Sequence, residues 1–121
     1  MEADTLSLER VIKALVSLGL SQTDAEVYVH LATTGPATAR NIICNLTFNK
    51  RQVYRSLKRL QSRGITITSD EHPSEFSALP FEEVLDLLVE VKREQAKALQ
   101  ESKKEVLSNW RKIVEENSEK S

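Results

Sequence analysis

The chain has 121 residues, a single cysteine and a net charge of −1, with 40 % hydrophobic and 29 % charged residues. One cysteine excludes a disulfide framework within the chain, and no apolar run approaches the ~18 residues of a membrane span. The N-terminus also lacks the basic start and apolar core of a signal peptide. We therefore expect a cytoplasmic protein that does not bind membranes.

The first half of the chain predicts three helices. Apolar residues at helical spacing predict the first over residues 6–18. Ser21 then acts as an N-cap, and Asp24 three residues later completes a loose form of the capping box. Gly35 and Pro36 end this second helix, and a short third helix is predicted over about Thr38–Asn45.

A fourth helix begins at a second capping box, in which Asn49 is the N-cap and Gln52 is the third helical residue. It is predicted to run over about Lys50–Arg63, with Gly64 in the left-handed conformation that often follows a helix. The short spacing from the third helix leaves a tight turn between the two. A short helix, a tight turn and a longer amphipathic helix are the pattern of a helix-turn-helix.

The positive charge is concentrated on this fourth helix. From Val27 to Ser69 there are seven Lys or Arg and no Asp or Glu, whereas the remainder of the chain has a net charge of −8. The apolar side of the helix must face a core, so Arg51, Arg55 and Lys58 fall on the opposite, solvent side. Because no acid interleaves with these cations, DNA phosphates are the expected partner, and Arg and Gln can also read base edges.

The second half predicts a small hairpin and one long helix. Residues 65–69 alternate β-branched and polar side chains, and residues 76–79 can return as an antiparallel strand, which makes the helix-turn-helix a winged one. From Phe81 to about Asn117 there is no Pro or Gly, so one continuous helix is expected.

The apolar positions of the long helix follow an eleven-residue repeat, which keeps one stripe facing a partner. We expect it to pair with a second copy, helped by four apolar residues of the first helix: Leu8, Val11, Ile12 and Leu15. The gaps between successive positions are 3, 4, 4, 3, 4, 4 and 3, with Gln95 and Ser102 as the polar members. The expected dimerisation residues are Leu88, Val91, Leu99, Val106, Trp110 and Ile113.

The segments LGLSQTDAEVYVHLATTGPATARNI and NKRQVYRSLKRLQSRGI resemble the winged-helix domain of the TrmB-like regulators of archaea. The resemblance covers about residues 8–80. It is carried by a leucine–glycine–leucine start, a Gly-Pro pair and a Val-Tyr pair on the fourth helix. The matching positions are Leu18, Gly19, Leu20, Ser21, Asp24, Ala25, Tyr28, Leu31, Gly35, Pro36, Ala37, Val53, Tyr54, Leu57, Leu60 and Gly64.

This resemblance implies a DNA-binding transcriptional regulator, with the fourth helix as the recognition helix. The expected fold is mainly α with a small β-hairpin, as a winged helix-turn-helix domain over 1–80 and a long C-terminal dimerisation helix with a polar tail over 81–121. The expected DNA-binding residues are Arg40, Asn49, Lys50, Arg51, Gln52, Arg55, Lys58 and Arg59.

Two features depart from the family pattern. Many longer members carry a C-terminal sugar-binding domain, and no small-molecule effector domain is evident in this sequence. The wing tip at Asp70, Glu71 and His72 is acidic, so we do not expect a firm contact between the wing and DNA phosphates.

Other readings are weaker. A winged-helix module that binds another protein in a transcription-related assembly is the alternative, since the acidic wing and long helix would suit it. No catalytic Ser/His/Asp set, metal-ligand spacing or cofactor loop is visible, so we expect no enzyme, metal or cofactor. Tyr54 is expected to pack rather than contact bases, and Cys44 to be a small core residue.

Overall fold

The computed structural model describes residues 2–120 of the chain. Its elements confirm the predicted winged helix-turn-helix followed by a long helix, and add a short strand that the sequence did not predict. The helices are α1 (Glu2–Ser17), α2 (Gln22–Thr34), α3 (Ala39–Asn45), α4 (Lys50–Ser62) and α5 (Phe81–Lys120). The strands are β1 (Ala37–Thr38), β2 (Thr66–Thr68) and β3 (Glu75–Ala78).

Side-chain caps fix the starts of the middle helices. Ser21 Oγ accepts a hydrogen bond from the backbone N–H of Asp24 at 3.1 Å. The capping box of α4 is complete, because Asn49 Oδ1 accepts from the Gln52 N–H at 2.8 Å and Gln52 Oε1 accepts from the Asn49 N–H at 3.0 Å. These bonds satisfy amide groups that a helix start leaves unpaired.

The sheet has three antiparallel strands in the order β1-β3-β2. β2 and β3 form the predicted hairpin, with Ile67 opposite Ser77, and β1 adds its two residues to the other edge of β3. Gly64 precedes the hairpin at a φ of 77°, so the predicted left-handed conformation is confirmed.

The core lies where the helices meet the sheet. Its largest fully buried side chain is Tyr28 of α2, whose hydroxyl donates to the carbonyl oxygen of Leu79 at 2.7 Å. Burial raises the pKa of Tyr28 above its ordinary value. Other buried apolar residues are Leu15, Leu20, Ala25, Val27, Leu31, Ile42, Val53, Leu57, Leu60, Ile65, Val84 and Leu88.

Two compact units divide the chain, the first ending at Leu88 and the second beginning at Val89. The first turns of α5 belong to the first unit, because Val84 and Leu88 are buried in its core. Leu88 is only 2 % exposed, so it is a core residue and the prediction that it contacts a second copy is wrong. Leu15 is likewise fully buried and offers no surface for pairing.

Cys44 is exposed, contrary to the expectation that it is a core residue. The buried residues of α3 are Ala39 and Ile42, which share one face of this short helix. Cys44 follows Ile42 by two positions and therefore points away from that face. None of the helices within residues 2–120 combines the length and the hydropathy of a membrane-spanning segment.

Candidate nucleic-acid interface

Helix α4 is held with one face in the core and the opposite face in solvent. Its inner side chains are Val53, Ser56, Leu57 and Leu60, each 2 % exposed or less. Because these residues fix the rotation of the helix about its own axis, they also fix which side chains face outward. The outward set contains the cations that the sequence singled out.

Four of these cations lie in the first three turns of α4, and their charged groups are exposed and not paired with an acid among residues 2–120. Arg51, Arg55 and Lys58 are exposed, and within the described part of the chain none of them forms an ion pair. Lys50 is exposed too, with its Nζ 5.9 Å from the centre of the Tyr54 ring. The result is a cationic surface along the first three turns of α4, which we call the α4 cationic face: Lys50, Arg51, Arg55 and Lys58.

Arg59 has a different environment from the one expected, because its guanidinium group binds Asp24 of α2. Arg59 Nη2 donates to Asp24 Oδ1 at 2.8 Å and Nε donates to Oδ2 at 3.0 Å. Ser56 Oγ, itself fully buried, donates to the same Asp24 Oδ1 at 2.6 Å. The hydrogen bond to Asp24 raises the pKa of Arg59.

This cluster adds one finding to the sequence interpretation and corrects another part of it. Asp24 lies where the cap was predicted, with its backbone N–H held by Ser21, and its side chain is 2 % exposed and accepts from Ser56 and Arg59. Arg59 is not a free cation, and we assign it to bracing α4 against α2. A signal was present in the sequence, because Asp24 shares the i, i+4, i+7 stripe with Tyr28 and Leu31, both of which are buried.

Arg63 also turns back toward the scaffold. Its Nη1 donates to the carbonyl oxygen of Gly19 at 3.4 Å, in the turn between α1 and α2. The cations of the helix therefore fall into two groups. Arg59 and Arg63 bind α2 and the turn before it, whereas the four residues of the α4 cationic face form no ion pair among the described residues.

The capping box engages two further residues of the predicted site. The side chains of Asn49 and Gln52 hold each other's backbone N–H groups, so both are already hydrogen-bonded. Both remain exposed, and the side-chain amide nitrogen of Gln52 is still available to donate. Bidentate recognition of adenine by Gln52 would require its Oε1 to share or leave the cap.

Arg40 and Tyr54 line one groove between α3, the first turns of α4 and the wing. The groove has a volume of about 430 Å³ and its other lining residues include Pro73 and Phe76. Tyr54 is 48 % exposed, so its ring lies at the surface, at the margin of the core. Sequence reasoning placed it at the margin of the apolar face, where a ring can lie on either side.

The wing tip has the acidic surface that the sequence predicted. Asp70, Glu71 and His72 lie in the loop between β2 and β3 and are exposed, as is Glu75 at the start of β3. Within the described residues these carboxylates form no ion pair with the α4 cationic face. The same part of the chain has no cluster of His, Cys, Asp and Glu that could hold a metal ion.

In the second unit, α5 presents apolar side chains to solvent. Val91 is 43 % exposed, Leu99 71 %, Val106 61 %, Trp110 59 % and Ile113 49 %. Leu107 and Val114, which the sequence interpretation did not include, are also exposed and line a groove beside Trp110. These residues widen the apolar surface near the end of the helix.

Comparison with known proteins places this architecture in a family. The family model of the sugar-specific transcriptional regulator TrmB matches residues 15–82, which is more than half of the chain. The match contains α2, α3, α4 and the sheet, and therefore all of the α4 cationic face. No curated protein matches the chain in sequence.

Solved structures show the same fold at low sequence identity. TrmBL2, an archaeal chromatin protein, superimposes with a TM-score of 0.77 at 20 % identity over 84 % of this chain. This chain spans only 41 % of the length of TrmBL2.

Two further structures cover most of both chains. The ST1889 protein of Sulfolobus tokodaii has a TM-score of 0.60 at 21 % identity, over 75 % of this chain and 97 % of its own. The transcriptional regulator Tm0710 of Thermotoga maritima has a TM-score of 0.56 at 17 % identity, over 96 % and 92 %. The chain belongs to the TrmB family, whose members are DNA-binding transcription regulators of the winged-helix type and not enzymes.

Proposed function

We propose that this protein is a cytoplasmic, sequence-specific transcriptional regulator that binds double-stranded DNA as a homodimer, with α4 in the major groove. The observation that carries the proposal is the α4 cationic face. Its four cations are exposed and project from a helix whose other side is fixed in the core. Cations held together without acids gain most from a polyanion, because phosphates offset their mutual repulsion.

The position of these cations on the helix suits the major groove. In helix-turn-helix proteins the N-terminal part of the recognition helix contacts base edges, and the preceding helix crosses the backbone. Lys50, Arg51 and Arg55 of the α4 cationic face lie in the first two turns of α4, and Arg59 and Arg63, which bind the scaffold, lie at its end. Arg51 and Arg55 are our main candidates for base or phosphate contacts.

Secondary contacts come from residues around this face. We assign phosphate contacts to Lys50 and Lys58, and to Arg40 at the start of α3, because all three are exposed cations. Asn49 and Gln52 serve first as the cap of α4, and any contact with a base would use their remaining hydrogen-bonding capacity. Arg59 keeps the nitrogen Nη1 free for a phosphate while Nε and Nη2 hold Asp24.

The exposed apolar surface of α5 supports the proposal of a homodimer. Five large apolar side chains of this helix are exposed to water: Val91, Leu99, Val106, Trp110 and Ile113. Pairing with a second copy would bury them, and the burial of apolar surface would stabilise the dimer. Two copies would offer two recognition helices, and two-fold symmetry would favour a palindromic operator with half-sites about 34 Å apart. TrmBL2, which shares the fold, is described as binding DNA by a novel mode, so the docking geometry must be measured for this chain.

The test is a titration against an operator selected from genomic fragments, at several salt concentrations. Arg51→Ala combined with Arg55→Ala should weaken binding at least about tenfold, since each lost contact removes ~1–3 kcal/mol. The slope of log affinity against log salt should fall by about 2, because each phosphate contact contributes ~0.9. A matched control, Lys97→Ala with Lys104→Ala on α5, removes the same charge and should leave both quantities nearly unchanged.

Specificity and groove are tested on the same complex. The operator should bind at least about a thousandfold more tightly than a scrambled duplex. Guanine N7 atoms in the operator should be protected from methylation, because N7 lies in the major groove. Equal loss of affinity in the two double variants, or unprotected N7 atoms, would contradict the assignment of α4.

The alternative is a winged-helix module that binds another protein. The observation that favours it is the exposed acidic wing tip, Asp70 and Glu71, which phosphates would repel. A chain that shows no salt-dependent binding to any duplex, yet forms a stoichiometric complex with one purified transcription component, would establish this function instead.

A further inference from the structure

The second unit consists of one helix whose apolar stripe has charged edges of opposite sign. We define the seam as the positions that repeat along α5 beyond Leu88: Val91, Gln95, Leu99, Ser102, Val106, Trp110 and Ile113. All of them are exposed. The inference below rests on the proposed homodimer and concerns how the two seams meet.

One edge of the seam is acidic. Glu94 and Glu105 are eleven residues apart, so both have the same position relative to the stripe. At roughly 98° per residue they lie about 100° to one side of Gln95 and Val106, which run along the middle of the seam. Glu116 is the third member of this row.

The other edge is basic over the same length. Lys92 and Lys103 are also eleven residues apart, and at roughly 98° per residue they lie about 65° to the other side of the middle. The next position in this row is Val114, so the basic edge ends where the apolar surface widens. Glu94, Glu105, Lys92 and Lys103 are all exposed and, across the described length of α5, none of them forms an ion pair within the chain.

The direction of pairing decides which edges face each other. In a parallel pair, opposite edges of the two helices are adjacent, as the e and g positions are in parallel coiled coils. In an antiparallel pair, each edge meets its own counterpart. A parallel pair therefore puts the acidic edge of one copy beside the basic edge of the other, and an antiparallel pair puts acid beside acid and base beside base.

We propose that two copies of α5 pair in parallel and in register. In that arrangement Glu94 faces the partner subunit's Lys92, and Glu105 faces the partner subunit's Lys103. Each pair is offset by two residues, or about 3 Å along the axis, which long side chains span. Two-fold symmetry doubles these contacts to four. Near the end of the helix, the exposed side chain of Trp110 would pack against its counterpart in the second copy.

Cysteine cross-linking tests the direction. In a Cys44→Ser background, Gln95→Cys should form a disulfide-linked dimer on mild oxidation, and so should Asn117→Cys, which lies in the same row. Antiparallel pairing centred on Ser102 would separate the two copies of residue 95 by about 21 Å, far beyond the reach of a disulfide. Lys97→Cys, on the opposite side of the helix, is the matched control and should not cross-link.

Charge reversal tests the cause. Glu94→Lys with Glu105→Lys gives both edges the same sign and should weaken the parallel dimer at least about tenfold by analytical ultracentrifugation. The effect should shrink in 1 M salt, where charges are screened beyond about 3 Å. Glu115→Lys with Glu119→Lys changes the net charge equally but lies away from the seam, and should leave dimerisation unchanged.

The outcomes separate this inference from the proposed function. A dimer that fails to cross-link at residues 95 and 117, or that tolerates reversal of the acidic edge, overturns parallel pairing and leaves the homodimer standing. A chain that stays monomeric at all concentrations overturns both. The Glu94 and Glu105 substitutions lie outside the α4 cationic face, so they remove none of the proposed contacts between that face and the operator.

Discussion

Replacing Asp24 with alanine should destabilise the first unit strongly, because the carboxylate is the common acceptor for two side chains of α4. Asp24 Oδ1 lies 2.6 Å from Ser56 Oγ and 2.8 Å from Arg59 Nη2. The Ser56 hydroxyl is fully buried, and leaving it without an acceptor costs ~1–3 kcal/mol. The Arg59 side chain is 47 % exposed and can return to water, so its lost ion pair adds only ~1 kcal/mol or less.

We therefore expect Asp24→Ala to lower the free energy of unfolding by ~1–4 kcal/mol. At ~4–8 °C per kcal/mol for a unit of this size, the melting temperature should fall by roughly 4–30 °C. The measurement is urea denaturation followed by circular dichroism, at one fixed protein concentration so that association does not contribute.

A double-mutant cycle isolates the cause. Adding Ser56→Ala to Asp24→Ala removes the orphaned hydroxyl, so the double variant should be no less stable than Asp24→Ala alone, whereas Ser56→Ala in the parent should be destabilising. Additive effects, or an Asp24→Ala variant within ~0.5 kcal/mol of the parent, would refute the reasoning that this cluster braces α4.

Three further predictions concern single sites in the first unit. Burial raises the pKa of Tyr28, so the unfolded chain loses the hydroxyl proton at a lower pH than the folded chain does. The free energy of unfolding should therefore fall as the pH rises above about 10. Tyr28→Phe should flatten that fall in denaturation curves recorded between about pH 9.5 and 11. At neutral pH the same variant loses the bond to Leu79 and about 1 kcal/mol. Thr66→Val should raise stability by ~0.5–1 kcal/mol in urea denaturation, because the buried Thr66 hydroxyl has no hydrogen-bond partner among the described residues. Gly64→Ala should lower the free energy of unfolding, measured by thermal denaturation, by ~1–2 kcal/mol, because Gly64 has a φ of 77° and alanine disfavours that left-handed conformation. Asparagine tolerates it better, so a Gly64→Asn variant that is equally destabilised would contradict this explanation.

Helix starts and the long helix were predictable because their signals are local. The Asn49–Gln52 capping box and the absence of Pro and Gly after Phe81 each involve residues close in sequence. Strand β1 was missed because a strand of two residues is too short to show the alternation of apolar and polar side chains by which a strand is predicted. It exists only through pairing of Ala37 with Phe76, which lies far along the chain.

The candidate site was predictable as a surface and less so residue by residue. Periodicity separated the buried face of α4 from its cationic face, but it could not show which cations have partners elsewhere. Arg59 is bound by Asp24, 35 positions earlier, and that contact depends on the packing of α2 against α4. Leu88 was misassigned for a similar reason, because one stripe on α5 serves the core up to Leu88 and faces solvent beyond it.

Thr38 belongs to two structures at once, since it is the last residue of β1 and the N-cap of α3. Its backbone pairs with Glu75 at the base of the wing, and its hydroxyl accepts from the Asn41 N–H at 3.2 Å. The wing and the helix that leads into the turn before α4 are thus joined through one residue. If a bound macromolecule displaced the wing, the backbone pairing of Thr38 with Glu75 would therefore move the start of α3 with it.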